Sequence, residues 1–476
     1  MNKIKRKGIF SVFGTFLFNI ILGSYQIWPK LLKYFNLFIE NKNKDLKLNS
    51  NSKILFIPLF RLLYSIFIPI GIILTRKIKL KRCILLSFFL LITSHILILY
   101  TSSNIIILLS FILFAFSIGI SCITLTVNSW LFFPIYRGLI FGFISSGNAI
   151  GNYIFEKLGE KLINPYKANI EKSEFYNSLI IKNFTFFIKI LLILFTIIGS
   201  ISIILITPWK KSMMNGNGNY FNNNEKITPL SELELIDERT DNNFDVFEIN
   251  RNKSIPYIGF NKNEKIKDTF QSKAFLQLMF MFCLSTLFNY LKIIDFPDLK
   301  NEEFKEYNFF LFNITDIFFR ILWGTFLDIY DFKTLYLISL YIQIGIFSTF
   351  YFIADIKYFC IIYSFLEGIS FSSTFVIQAF SFYKIFGVNN GGILFGFSKI
   401  FCNFTQLIIN LFINYLNTES IYFLILCLFN SVCTMLSSII LCFIEVKKFD
   451  YEKFTNDKIK KRRFSTSSIN SNEGNF

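Results

Sequence analysis

The sequence predicts an all-α membrane protein with twelve transmembrane helices in two six-helix halves, and three observations carry that prediction. The first is composition: 53% of the 476 residues are hydrophobic and 19% aromatic, with 64 Phe, more apolar surface than a soluble domain of this size can hide from water. The second is a recurrence of apolar runs of about 20 residues, nearly free of charge, the length of helix that crosses a hydrocarbon core ~30 Å thick. The third is one long polar stretch, 208–271, rich in charge and Asn-Gly repeats, which divides those runs six and six.

Taken in order, the first run, 8–28, follows Lys3, Lys5, Arg6 and Lys7 as a signal peptide would. It lacks a small-residue cleavage site and is read as a retained helix. Runs 54–74 and 83–100 flank a loop crowded with Arg76, Lys77, Lys79, Lys81 and Arg82, whereas the next loop, Tyr100 to Ser103, carries no charge before run 104–126. Runs 137–155 and 184–207 complete a first half, residues 1–207. The stretch 208–271 has too few apolar residues to fold alone and reads as a largely disordered cytosolic linker. Runs 272–292, 307–327, 333–353, 357–378, 391–414 and 420–443 form the second half, 272–443, and a basic tail, 444–476, closes the chain. Basic residues mark the cytosolic side, so the crowded loop and both termini are placed there. The six Lys between the first two runs (Lys30, Lys33, Lys42, Lys44, Lys47, Lys53) argue the other way. Plasma and organelle membranes are not distinguished.

A net charge of +17 raises the question of nucleic acid, but the basic residues lie between the apolar runs and not among aromatics on a polar face. The lipid bilayer is the expected partner, without nucleic acid. All eight Cys lie in or beside apolar runs with no close CxxC pair, and His95 is the sole His. Neither disulfide nor metal site is indicated, and His95 reads as structural. No cofactor is expected. With no P-loop, no H-E-x-x-H and no second His, the chain reads as a non-enzyme.

Local motifs narrow the reading. Trp130 is followed by Phe133-Pro134, then Arg137-Gly138-Leu139, Gly142, Gly147 and Gly151. This resembles the oxalate/formate antiporter and monocarboxylate porter branch of the major facilitator superfamily, with one extra residue between Trp130 and Phe133. Glycines at such spacing let membrane helices approach closely. Arg137, at the turn, suits either a positive-inside anchor or a gate. In the eighth run, Asp316 and Arg320 stand four apart, on one helix face, and resemble the Asp–Arg pair of monocarboxylate transporters. The resemblance implies that Arg320 binds a substrate carboxylate and Asp316 helps carry a proton; a structural ion pair is the plainer account. Gly324 to Asp328 is similar to the superfamily's loop signature, with Ile329 where an Arg is usual, and Gly71, Thr75 and Arg76 are its degenerate counterpart. Asn390 to Lys399 resembles the stretch that supplies the antiporters' substrate-site Lys, offset by one; Lys399 either serves cargo or snorkels to the interface. Tyr25 and Gln26, before Trp28-Pro29, stand where relatives line the cavity, or belong to an interfacial belt.

Ionisable residues within the runs are few: Arg61, His95, Lys189, Asp316, Arg320, Glu367 and Lys399. Such residues are expensive in lipid and are functional candidates. Arg320 and Lys399 lie at comparable depth, which favours an anionic small-molecule substrate, and Asp316 or Glu367 is a candidate for proton coupling. Arg61 suits anchoring or cargo. The expected function is secondary active transport of small organic anions, mono- or dicarboxylates, by symport or antiport. An amino-acid or other metabolite carrier of the same type, or a non-transporting receptor or scaffold, is the alternative.

Overall fold

A computed structural model of the chain describes residues 3–42, 50–100, 103–166, 174–209, 266–287, 302–353, 357–415 and 420–444. Most of the polar linker, 210–265, and the basic tail from 445 lie outside the described residues. Helix α1 (Lys3–Gly23) passes through a 3-10 turn (Ser24–Ile27) into α2 (Trp28–Lys42). Pro29 explains the joint, since it has no N–H to donate and its ring clashes with the carbonyl four residues back. There follow α3 (Ser50–Lys77), α4 (Leu80–Leu99), α5 (Asn104–Phe132), α6 (Arg137–Ile163) and α7 (Glu174–Leu205). The second half holds a short α8 (Ile266–Phe270), α9 (Lys273–Thr286), α10 (Glu302–Ile329), α11 (Phe332–Ile353), α12 (Lys357–Tyr415) and α13 (Ser420–Phe443). Side-chain oxygens of Ser103 and Ser272 cap α5 and α9, accepting from Ile106 N at 3.4 Å and Phe275 N at 3.3 Å, which satisfies N–H groups that a helix start leaves without partners.

The chain is a multi-pass membrane protein. Among the described residues nine stretches are long and apolar enough to cross a bilayer, with α12 supplying two, Tyr358–Gly387 and Asn390–Ile409. The shorter apolar helices Lys273–Thr286 and Cys427–Phe443, together with α6, complete the twelve. Helix α6 falls short in hydropathy because Gly, Ser and Asn fill its buried face, from Gly138 to Asn152. A helix enclosed by protein needs little apolar surface toward lipid.

Several helices run past their predicted ends, among them α5 to Phe132, α6 to Ile163 and α7 from Glu174, and two spans do so for clear reasons. The first, Ile4–Lys42, is 39 residues long, roughly 58 Å at 1.5 Å per residue, so α2 reaches well past the hydrocarbon core. Lys30 there forms an ion pair with Glu156 and lies 3.8 Å from Glu160, so at least that member of the discordant Lys group is neutralised locally. In α12 the helix continues past 378 because Ala379, Phe382, Tyr383, Ile385 and Phe386 are all buried; Gly387 (φ 73°, ψ 171°) breaks it. The ends of the linker are packed: Trp209 is buried and its N–H donates to Asn128 Oδ1 at 2.9 Å, and Phe270 stands edge-on to Phe397 at 4.6 Å.

The halves meet along two seams. In the first, α6 runs against α10, from Gly138 beside Gly324 to Asn152 Nδ2, which donates to Asn313 Oδ1 at 3.4 Å. In the second, α3 runs against the latter arm of α12, where Gly392 and Gly396 press on Ile72 and Pro69, and Asn403 Nδ2 donates to Arg61 O at 3.0 Å.

Candidate functional site

An enclosed cavity lies between the seams. Helix α1 contributes Asn19 and Leu22, and Tyr25 follows in the 3-10 turn; α3 contributes Tyr64 and Ile68, and α5 Cys122 and Thr126. From α6 come Phe141, Ser145 and Asn148, and from α12 Phe375, Phe395 and Lys399. Among the described residues, no Asp or Glu lines it. Lys399 is the one charged residue of the lining, and its ammonium makes no hydrogen bond or ion pair with any described residue. Its nearest favourable contacts are the faces of Phe395 and Phe375, at 5.6 and 5.9 Å. A Lys at mid-helix in a membrane costs about 2.5–3.5 kcal/mol to insert, a cost that an anionic ligand offsets.

Arg320, one of the largest fully buried side chains, stands behind this wall. Its Nε and Nη2 donate to the two oxygens of Asp316, each at 2.9 Å, and Nη1 donates to Ser145 O of the other half at 3.0 Å. Phe375 covers the guanidinium at 4.5 Å from its ring centre. The same ring lies near both of the cations that the sequence places at one depth, 4.5 Å from Arg320 and 5.9 Å from Lys399. Glu367 is buried on α12, next to Gly368, which packs on Phe312 O and Thr315 of α10. It does not line the cavity.

Tyr25 faces the cavity, its ring 5.4 Å from that of Tyr64. Gln26 reaches it indirectly: Nε2 donates to Asn148 Oδ1 at 2.7 Å and to Tyr25 Oη at 3.3 Å. Sequence reading missed Tyr64, Asn19, Ser145, Asn148 and Phe375. A signal for part of the group was present, because Ser145, Asn148 and Asn152 recur at three and four residues and mark a polar stripe on α6.

The motif glycines divide between two neighbours. Gly138 and Gly142 press on the backbone oxygens of Gly324 and Arg320 in the other half, whereas Gly147 and Gly151 press on Phe16 O and Ile20 O of α1. Gly324 meets Gly138 O. Beside them the Asp328 carboxylate accepts from Gly138 N at 2.7 Å and Leu139 N at 2.8 Å. These are first-turn N–H groups of α6, whose own preceding residue, Tyr136, supplies no side-chain cap. Asp328 thus caps a helix of the opposite half, with the helix dipole reinforcing the contact. Arg137 lies within electrostatic range of Asp328, and its carbonyl accepts from Trp130 Nε1 at 2.7 Å. Arg76, in the last turn of α3, lies within range of Tyr383.

No protein-family model matches the sequence, and no curated protein does. Solved structures do match. The crystal structure of the human organic anion transporter MFSD10 (TETRAN) is similar over 92% of this chain and 99% of its own, with a TM-score of 0.58 at 11% identity. The major facilitator transporter FucP in its outward conformation covers 90% of this chain and 99% of its own, with a TM-score of 0.52 at 12% identity. A second FucP structure, described as the Escherichia coli fucose:proton symporter, covers 90% of this chain and 98% of its own, also with a TM-score of 0.52 at 12% identity. Twelve helices in two six-helix halves, a cavity between them and these neighbours together give the chain the fold of the major facilitator superfamily.

Proposed function

We propose that this protein is a secondary active transporter of small organic anions, working by alternating access about the cavity between its halves. The observation that carries the reading is Lys399, an ammonium in a membrane cavity that no acid lines among the described residues. An anion is the ligand that relieves such a charge. A site between two halves suits a carrier that works by rocking them against each other. That similar folds include an organic anion transporter and a sugar:proton symporter agrees with transport and with proton coupling.

Arg320 is the reserve cation of this scheme. Protonation of Asp316 breaks the bidentate pair, and a turn of Phe375 then brings the guanidinium to the cargo carboxylate; Glu367 is the alternative proton carrier. Exchange of one anion for another is the second mode the site supports. Tyr25 and Tyr64 donate hydrogen bonds, with Gln26 holding Asn148 in place. Both termini and the Arg76–Arg82 loop are assigned to the cytosol.

The test is uptake of labelled carboxylates and amino acids into proteoliposomes, with and without an inward proton gradient. Saturable carboxylate uptake is expected, with Lys399→Ala reducing it at least tenfold while the purified variant stays monodisperse. The reading is overturned if well-folded wild-type protein carries no carboxylate, or if Lys399→Ala carries them unchanged.

A further inference from the structure

Cys283 of α9 and Cys402 of the second arm of α12 are 119 residues apart in sequence, and their sulfurs meet at 3.6 Å. Cys402 is buried and Cys283 half-buried. The surroundings of the pair are polar. Gln378 of the first arm, fully buried, donates from Nε2 to Cys402 Sγ at 3.7 Å. Its Oε1 is also buried and finds no partner among the described residues. The hydroxyls of Thr286 and Thr405 act on Cys402 and Cys283 respectively. One turn along, Gln406 Nε2 donates to Thr286 O at 2.9 Å and holds α9 to the arm. Cys427, by contrast, is buried in an apolar cluster with Ile346, Phe347 and Phe350.

Two thiols brought into contact by two helices lack only an oxidant to become a disulfide. That bond is about 2.05 Å long, so the sulfurs, now at 3.6 Å, have to close by about 1.5 Å, a distance that side-chain rotation covers. The position of the pair gives the bond a consequence. Lys399, which lines the cavity, precedes Cys402 by three residues on the same arm and lies within electrostatic range of both sulfurs. A link from Cys402 to α9 therefore restrains the stretch of helix that presents this ammonium.

We propose that Cys283 and Cys402 are a peroxide-responsive dithiol whose disulfide restrains the Lys399 arm and slows the carrier. Hydrogen peroxide, close to water in size, is the oxidant. The Cys402 thiolate attacks one peroxide oxygen, the O–O bond breaks, and the other oxygen leaves as water after taking a proton. The sulfenic S–OH left on Cys402 donates to Gln378 Oε1, the spare acceptor of the site. The Cys283 thiolate then attacks Cys402 Sγ, the S–O bond breaks, and the departing hydroxide takes a proton to become a second water. Two thiols thus give up two electrons and two protons, and one peroxide becomes two waters. Only the effect on flux rests on the anion-transport reading.

The experiment treats full-length protein in proteoliposomes with hydrogen peroxide, blocks the remaining thiols with a maleimide, and maps the peptides by mass spectrometry beside carboxylate uptake. It is run on wild type, Cys283→Ser and Cys402→Ser, with monodispersity checked for each. The expected result in wild type is a reducible link between the Cys283 and Cys402 peptides, formed well before Cys427 loses its thiol. Uptake should fall several-fold with the link and recover in dithiothreitol. Cys283→Ser should trap Cys402 as a sulfenic acid that dimedone labels, and Cys402→Ser should keep its uptake under peroxide. A wild-type protein that forms no link, or forms it only once unfolded, overturns the proposal. So does dimedone labelling of Cys283 in Cys402→Ser, which reverses the order of attack, and so does a complete link that leaves uptake unchanged. A wild type that carries no carboxylate before oxidation counts against the anion reading alone, because the linked peptides are read without transport.

Discussion

Asp316 and Arg320 show what a buried pair means for a variant. Both oxygens of the acid are engaged by the guanidinium, and both side chains are almost wholly buried. Removing one partner leaves the other charge uncompensated, which costs about 3–5 kcal/mol, whereas replacing both with apolar residues of similar volume is often neutral or stabilising. Asp316→Asn is therefore expected to lower the thermal unfolding midpoint clearly, and Asp316→Leu with Arg320→Met to restore it. Uptake should be lost in both, and that split between stability and flux separates a working pair from a purely structural one. Single residues were only partly legible in the sequence. Asp316, Arg320 and Lys399 stand out because charge in an apolar run is conspicuous. What the chain does not display is Phe375 lying near both cations, since one Phe among 64 carries no mark. Tyr64 and Asn19 were equally silent, because membership of a cavity depends on which helices meet.

Elements were far more legible than residues, because the period of hydropathy is set by the bilayer and not by partners. The ends of helices are where the sequence fell short: α2 and the first arm of α12 continue where burial against other helices replaces burial in lipid. Among the described residues, Gly387 is the glycine with a positive φ. Its backbone (φ 73°, ψ 171°) lies in a region essentially reserved for Gly, while a Cβ there would meet nothing within 4 Å. The cost of Gly387→Ala is thus conformational alone, about 1–3 kcal/mol. Gly345 offers the matched control, inside α11 with equally open space beside it; Gly345→Ala should stabilise by about 0.5–1 kcal/mol. Opposite shifts of the two midpoints in a thermal unfolding series would confirm that the turn between the arms of α12 is held by backbone geometry. Shifts of the same sign would refute it.

For the whole molecule, the α6–α10 seam runs from Asp328 to Asn313, and on the proposed alternating-access reading it closes one side of the cavity. Near the Arg76–Arg82 loop the closure depends on the Asp328 carboxylate, so Asp328→Asn removes charge and one acceptor from a contact worth about 1.5–3 kcal/mol. The population should shift toward opening on that face. Cys122, which lines the cavity, reports it: with the other cysteines replaced by Ser, its alkylation by a maleimide should quicken several-fold in Asp328→Asn and slow again with saturating cargo. Unchanged alkylation would show that the closure has other supports. The same contact carries an asymmetry of inheritance. On one half the latch is written in a side chain, but on the other it is written in two peptide N–H groups, at Gly138 and Leu139. Almost any codon change at 139 preserves its donor, proline excepted, while Gly138 is fixed by the closeness of Gly324 and of Asp328 itself. Drift can therefore erase the recognisable letters of this motif on the first half and leave the lock intact, so that distant relatives would keep the closure long after their sequences had ceased to advertise it.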